Sequence, residues 1–329
     1  MRVTYYHRKP VPGNYSIERL FDDVRQALDH RIEQKVSMAP FRSYGIFRRL
    51  YNAFYAARRQ SDVNHITGDI HYVACFLKKR KTLLTIHDCV TLERLRGIQK
   101  MIFFFFWYWL PEKRSELITV VSESTKQELL KYVRCRPNKI RVVPNCASPF
   151  FKPTPYSFNF SMPVILQVGT AKNKNLIRLA QALKGISCHL DIVGRLSDQQ
   201  IEMLQRNRIR YSSVADITDN AIVRKYRDCD MVVFCSTYEG FGLPIVEANA
   251  MGRPVVTSNI LSMPEVAGDA ACLIDPFDIQ SIRAGVLRVI EDRDYRDHLI
   301  KNGFRNVLRF EPEAVAAQYA AIYKELVVS

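Results

Sequence analysis

An apolar run of the ~20 residues needed to cross a bilayer is missing from this 329-residue chain. The longest apolar run, 101–110, is bounded by Lys100 and Pro111. No long apolar region follows Met1-Arg2-Val3-Thr4-Tyr5-Tyr6 either, so the N-terminus reads as a first strand and not as a signal peptide. Cys-x-x-Cys pairs are also absent. The eight cysteines are scattered, and Cys75, Cys89, Cys188 and Cys235 lie in or beside apolar runs. That argues against a zinc site or a disulfide framework, and for buried free thiols in a reducing compartment. Internal repeats and low-complexity tracts are not found.

Acidic residues are scarce in one half only. Residues 1–150 carry 27 Lys and Arg against 13 Asp and Glu, whereas residues 151–329 carry 21 against 20. Nearly all of the net charge of +15 therefore belongs to the first half. A basic half points to an anionic partner, either nucleic acid or lipid headgroups. No recognised nucleic-acid motif accompanies it, so nucleic acid is not expected as a partner. The length suits two domains, and an apolar content of 47% supports ordinary globular cores.

What is present is organised around Glu239-Gly240-Phe241-Gly242-Leu243-Pro244-Ile245-Val246-Glu247. The apolar run Met231-Val232-Val233-Phe234 before it predicts a buried strand. Val246, Ala248, Ala250 and Met251 after it predict a helix closed by Gly252 and Pro254. Pro244 suits the first helical turn, and Gly240 and Gly242 let the backbone approach a ligand closely. A helix starting here aims free N–H groups at the turn, where an anion such as a phosphate would sit. Carboxylates accept hydroxyl hydrogen bonds well, so Glu239 and Glu247 could grip the diols of a sugar and a ribose. The plainer alternative leaves Glu247 as a helix-dipole residue and Glu239 as a solvated loop residue.

These residues resemble the retaining glycosyltransferases of family 4, whose hallmark is a Glu, seven residues, and a second Glu. The resemblance continues through Gly252-Arg253-Pro254-Val255-Val256, Met263-Pro264-Glu265-Val266-Ala267-Gly268-Asp269-Ala270-Ala271 and Asp275-Pro276. It implies the α/β GT-B fold, two Rossmann-like doubly wound domains facing a central cleft. It further implies that Lys174, in Gly169-Thr170-Ala171-Lys172-Asn173-Lys174-Asn175, meets the donor diphosphate. Thr170 and Asn173 stand where the family often has Arg, and Lys172 could supply the missing charge. By the same resemblance Glu247 holds the ribose, Glu239 the donor hexose, and Met263 to Val266 border the nucleotide. Gly169, Thr170, Gly240, Phe241, Gly242 and Leu243 complete the expected donor site. The family also places a glycine turn near the acceptor or diphosphate, where this chain has Gly13. Cys146 replaces the usual glycine after Asn145.

In the first half, Val3 to Tyr6 predicts a strand and Ser16 to Leu28 a helix capped by Ser16. Val63 to Ile66, Val73 to Leu77 and Thr82 to Ile86 predict short strands or apolar turns. His87 and Asp88 follow the last of these. His87 either approaches the donor sugar, as the resemblance implies, or is a satisfied structural residue. Residues 41–60 predict an amphipathic helix with aromatics on one side and arginines on the other, suited to a membrane interface or to core packing. Lys100 to Leu110 predicts a helix with the same two options.

The domains are expected at 1–155 and 156–311, with a proline-bearing linker over 150–162 and a last helix, 312–329, crossing back to the first domain. The expected activity is metal-independent transfer, with retention, from a nucleotide-diphosphate sugar to a saccharide acceptor, with no cofactor and no metal site. The acceptor is expected to be lipid-linked, in surface polysaccharide or glycolipid assembly. The protein is then placed in the cytoplasm, peripheral on the inner face of the membrane and in contact with its anionic surface. The alternatives are a phosphorylase or transferase of GT-B type acting on a soluble acceptor, and a non-catalytic protein of anionic surfaces. Asp228-Cys229-Asp230 looks like a metal motif but leads into a core strand.

Overall fold

The computed structural model describes residues 1–10, 16–155 and 157–328, and Gly13 falls outside them. The chain forms two units, 1–146 with 312–329, and 147–311. Each is built on a six-stranded sheet in which every pairing is parallel. The first contains β1 (Arg2–His7), β2 (Glu33–Met38), β3 (Val63–Ile66), β4 (Thr82–Ile86), β5 (Leu117–Val120) and β6 (Ile140–Val142), in the order β2-β1-β3-β4-β5-β6. The second contains β7 (Val164–Val168), β8 (His189–Val193), β9 (Arg210–Val214), β10 (Met231–Phe234), β11 (Val255–Ser258) and β12 (Cys272–Ile274), in the order β12-β11-β10-β7-β8-β9. Parallel neighbours need crossovers, and helices supply them on both faces. Strands β3, β4, β5, β10 and β11 are accordingly buried at every residue.

The two doubly wound units agree with the expected architecture, but the passage between them does not fall in the stretch 150–162. It falls at 146–147. Ala147 donates its N–H to the Phe310 carbonyl at 2.7 Å, and Phe151 packs edge-on against Tyr226 with centroids 5.2 Å apart. Arg253, buried beneath this segment, donates to the hydroxyl of Thr154 at 3.1 Å and to the carbonyls of Cys229 and Met251 at 2.9 Å. The prolines after Phe150 therefore lie on the second unit and are held there.

The helix Pro312–Val328 completes the first unit, packing Val315, Tyr319, Tyr323 and Leu326 into a core shared with Phe21, Val24 and β1. His65 on β3 is fully buried there, its Nδ1 2.8 Å from the Tyr323 hydroxyl and its Nε2 2.7 Å from the Thr85 hydroxyl. The segment expected as a strand or turn at Val73 to Leu77 is a 3-10 helix, His71–Phe76.

The aromatic segments resolve differently from core packing. In the helix Ile46–Ala57 the buried residues are Asn52, Ala53 and Ala56, while Phe47, Leu50, Tyr51 and Phe54 are exposed. The run Lys100 to Leu110 is not one regular helix. Gly97–Phe104 is α-helical, Phe105–Trp109 makes a π-helical turn, and Leu110–Arg114 resumes the α-helix. The wider turn directs Trp107 and Tyr108 into the core and leaves Phe105, Phe106 and Trp109 exposed. Among the described residues no helix is long and apolar enough to cross a membrane.

Burial lowers the pKa of His65 well below its ordinary value and that of His7 to about 4. The folded unit thus holds these imidazoles neutral, whereas the unfolded chain protonates them near ~6.5. Their contribution to stability is complete above that value and is lost as pH falls toward 4. The unfolding free energy of the first unit in urea, followed by fluorescence of Trp107 and Trp109, should fall between about pH 7 and about pH 5, by ~1 kcal/mol per pH unit for each such histidine, and the midpoint with it. A midpoint that does not move over this range contradicts the assignment.

Candidate active site

In the second sheet the order reverses between β7 and β10, which are neighbours although two strands separate them in sequence. The loops that follow them, 169–175 and 235–242, therefore diverge at one edge and leave a crevice where ligands bind in open parallel sheets. Hydrogen bonds knit the two loops together. Gln167, buried at the end of β7, donates through its amide to the carbonyls of Gly169 at 3.2 Å and Lys174 at 3.1 Å. Asn175 takes a left-handed φ of 61° and donates to the carbonyls of Cys235 at 3.0 Å and Pro276 at 2.7 Å. The Thr237 N–H donates to the Asn173 carbonyl at 2.8 Å.

Gly169 has φ 90°, and a Cβ there would come within 2.9 Å of Lys174 Cε. The bare backbone lets the Lys174 side chain lie across it. Lys174 Nζ then meets Glu239 Oε1 at 2.7 Å and stands 4.8 Å from the centre of the Phe234 ring. Asn173 donates to the same carboxylate oxygen at 3.3 Å and to the Tyr238 carbonyl at 3.0 Å. Ser262 Oγ bridges from behind, within 3.0 Å of the Glu239 carbonyl and 2.9 Å of the Phe241 carbonyl.

The helix Leu243–Ala250 starts directly after this turn, with Gly242 at φ 110° as its cap. The Leu243 N–H has no acceptor within the helix, Pro244 has no N–H, and the Ile245 N–H donates to the Gly242 carbonyl at 3.0 Å, so the positive end of the helix dipole and the Leu243 N–H lie at the turn. Glu247, one turn inside, is 6% exposed and accepts a hydrogen bond from the Tyr226 hydroxyl at 2.6 Å. An ammonium, a helix N-terminus and two oriented carboxylates can together bind an anion flanked by hydroxyl-bearing groups.

The structure thus gathers Gly169, Lys174, Glu239, Gly240, Gly242, Leu243 and Glu247 around one loop pair of the second unit. Two other expected donor residues are otherwise engaged. The Thr170 hydroxyl donates to the Arg195 carbonyl at 2.7 Å, and the Phe241 ring is buried edge-on against Phe310, 5.5 Å between centroids. His87 belongs to the first unit, half-buried after β4, where its Nε2 donates to the Thr67 carbonyl at 2.9 Å. Asp230 accepts the N–H groups of Asn159 at 2.8 Å and Val164 at 2.7 Å, and Asp228 pairs with Arg227, so this apparent metal motif is structural. Among the described residues no three His, Cys, Asp or Glu side chains group as metal ligands.

Gln167, Asn175, Tyr226 and Ser262 were not anticipated as site-builders. Gln167 alone leaves a readable signal, an amide inside the apolar strand Val-Ile-Leu-Gln-Val that must find partners when buried.

Sequence comparison identifies the family. The model for glycosyl transferases group 1 matches residues 156–306, and that for Glycosyltransferase Family 4 matches residues 12–149. The chain belongs to glycosyltransferase family 4. Serotype-specific mannosyltransferase WbdA of Escherichia coli is 24% identical to this family 4 chain over 327 residues, covering 81% of it and 40% of WbdA. O-antigen chain mannosyltransferase B of Escherichia coli is 34% identical over 118 residues, 36% of the chain and 30% of that protein. The chain thus spans less than half the length of these curated relatives. Among solved structures, Anabaena Alr3699/HepE in complex with UDP and glucose aligns with a TM-score of 0.80 at 16% identity, over 99% of this chain and 100% of that one. That likeness shows the GT-B fold.

Tyr226 has its own consequence. Tyr226→Phe keeps the ring and removes the hydrogen bond to the buried Glu247 carboxylate. The second unit should lose ~1–3 kcal/mol of stability, the range for a hydrogen bond to a buried charged group. Urea unfolding followed by circular dichroism checks this, and an unchanged midpoint removes Tyr226 from that role.

Proposed function

We propose that the protein transfers a hexosyl unit from a nucleoside-diphosphate sugar to a saccharide acceptor. The observation that carries this reading is the Lys174–Glu239 pair at 2.7 Å beside the N-terminus of the helix Leu243–Ala250. When the bond between sugar and diphosphate breaks, negative charge develops on the leaving phosphate oxygen. Lys174 and the N–H groups around Gly242 and Leu243 are oriented to stabilise that charge, so no metal is required in this reading. Donor binding exchanges the Lys174–Glu239 contact for Lys174 on phosphate and frees Glu239 for the sugar hydroxyls. Glu247, held by Tyr226, takes the ribose diol. His87 keeps the role at the donor sugar that the family resemblance implies. Retention of anomeric configuration is part of the same proposal, on the family resemblance. The names of the relatives make a mannosyl donor the first to test.

We further propose a lipid-linked acceptor in surface polysaccharide or glycolipid assembly, with the protein peripheral on the cytoplasmic face of the membrane. Supporting this are the charge imbalance of the first half and the exposed rings of Phe47, Tyr51, Phe54, Phe105, Phe106 and Trp109. The eight cysteines are all free, as a reducing compartment requires. A soluble acceptor is the second reading.

A panel of UDP- and GDP-hexoses, titrated calorimetrically with EDTA present, tests the donor site. One donor should bind, and Lys174→Ala should weaken it by ~2 kcal/mol, as expected for a charged hydrogen bond, while the urea midpoint changes little. Equal affinity in the variant contradicts the assignment of Lys174, and binding that needs added Mg²⁺ or Mn²⁺ contradicts the metal-free reading. The anomeric proton of the product, observed by NMR, reports retention or inversion. For the membrane, the protein should float with anionic vesicles at low salt and less so as salt rises; failure to float favours the soluble acceptor.

A further inference from the structure

The first unit holds an apolar cavity of about 360 Å³, lined by Ile46, Leu50, Phe76, Ile102, Phe106 and Trp107 among others. We propose that this cavity receives one acyl chain of an anionic membrane phospholipid; the inference rests on the membrane-surface reading above and gives it a defined binding site.

Three observations carry it. First, the polar atoms of the lining residues are engaged away from the cavity. The Tyr72 hydroxyl bonds to Ser43 Oγ at 2.9 Å and accepts from Asn52 at 3.1 Å. Arg49, the one charged lining residue, donates from Nε to the Ser43 carbonyl at 2.9 Å and lays its guanidinium 4.6 Å from the centre of the Trp107 ring. A cavity without free polar partners does not hold ordered water well, and its size falls in the range of ligand pockets. It offers nothing to the backbone N–H and C=O groups of a peptide, which need partners when buried. A hydrocarbon chain has no such need.

Second, the cavity opens among large apolar side chains that no other part of the described unit covers. Ile46, Phe47, Met101 and Ile102 are each more than half exposed, and Leu50 and Phe106 are exposed at its wall. Third, the stretches of chain that supply the lining carry one sign of charge. The stretches 34–61, 70–87 and 94–111, which together supply the lining, contain thirteen Lys and Arg and no Asp or Glu. Arg48, Lys78 and Arg80, close in sequence to the lining residues Arg49 and Phe76, are exposed. A chain drawn from the bilayer would therefore bring its headgroup phosphate to a cationic rim, at ~1 kcal/mol for each Lys or Arg near the surface.

Cys75 reports on occupancy, because its half-buried thiol lines the cavity. The rate of its modification by N-ethylmaleimide is measured on the full chain by peptide mass spectrometry, with dihexanoyl phosphatidylglycerol below its micelle concentration. At about four times the dissociation constant the cavity is about four-fifths full, so the rate should fall roughly fivefold. Glycerophosphoglycerol, the same headgroup without chains, should leave the rate unchanged. Flotation with vesicles of phosphatidylglycerol is scored in parallel. A protein that floats while dihexanoyl phosphatidylglycerol leaves Cys75 equally reactive overturns the cavity and spares the surface reading. Protection without flotation supports the cavity and overturns the surface reading. Equal protection by dihexanoyl phosphatidylcholine overturns the anionic preference. As a second variant, Leu50→Asp places a charge on an exposed wall position and should abolish protection; full protection in that variant argues against the cavity.

Discussion

Parallel strands leave a sheet at one edge, and that constraint governs the second unit. The chain cannot return beside β7 without a crossover, so it winds outward through β8 and β9 and comes back to place β10 on the other side. The two loops at this reversal diverge, and nothing in the sheet itself holds them together. Side-chain amides do so instead. Asn173 and Asn175 bond to carbonyls of the other loop, Gln167 braces its own loop, and Ser262 fixes the turn. Because these bonds use uncharged groups, the charges of Lys174 and Glu239 are left with each other, in a contact that an anionic ligand can displace. Side-chain exposures of 21% and 16% for that pair allow a ligand to reach both groups.

The first unit solves a different problem. Its buried polar groups are internal, with His65, Thr85, Thr119 and Tyr323 forming a chain of hydrogen bonds across the sheet and the last helix. Its outer helices leave aromatic side chains to solvent. The helix Ile46–Ala57 buries small residues, so it lies close to its neighbours and presents its rings outward. The π-helical turn divides a run of seven aromatic residues between core and surface.

Much of the fold was legible because central parallel strands are buried on both faces and read as plain apolar runs. Two of the four outer strands were not. β2, Glu-Gln-Lys-Val-Ser-Met, and β9, Arg-Tyr-Ser-Ser-Val, are edge strands with mostly exposed or half-exposed residues, and they carry no apolar signal. The direction of the aromatic helices was equally hidden, since periodicity finds an apolar face but not what it faces. In the site, Lys174, Glu239, Gly242 and Glu247 were readable as residues whose chemistry needs that turn. Tyr226 was not, because it stands 21 positions before its partner on a helix that gives no hint of the contact.

The helix Pro312–Val328 belongs to the core of the first unit, while 147–311 forms a unit of its own between its two parts. This fixes an order of maturation on the ribosome. The second unit is contiguous and can close once residue 311 has emerged. The first begins earlier but lacks Val315, Tyr319, Tyr323 and Leu326 until residues 312–328 have emerged, so His65 and Phe21 wait without their packing partners. The usual rule that the more N-terminal domain matures first is reversed for these two units: the one that begins earlier is finished later, and its basic, aromatic surface stays on an incomplete core throughout that interval.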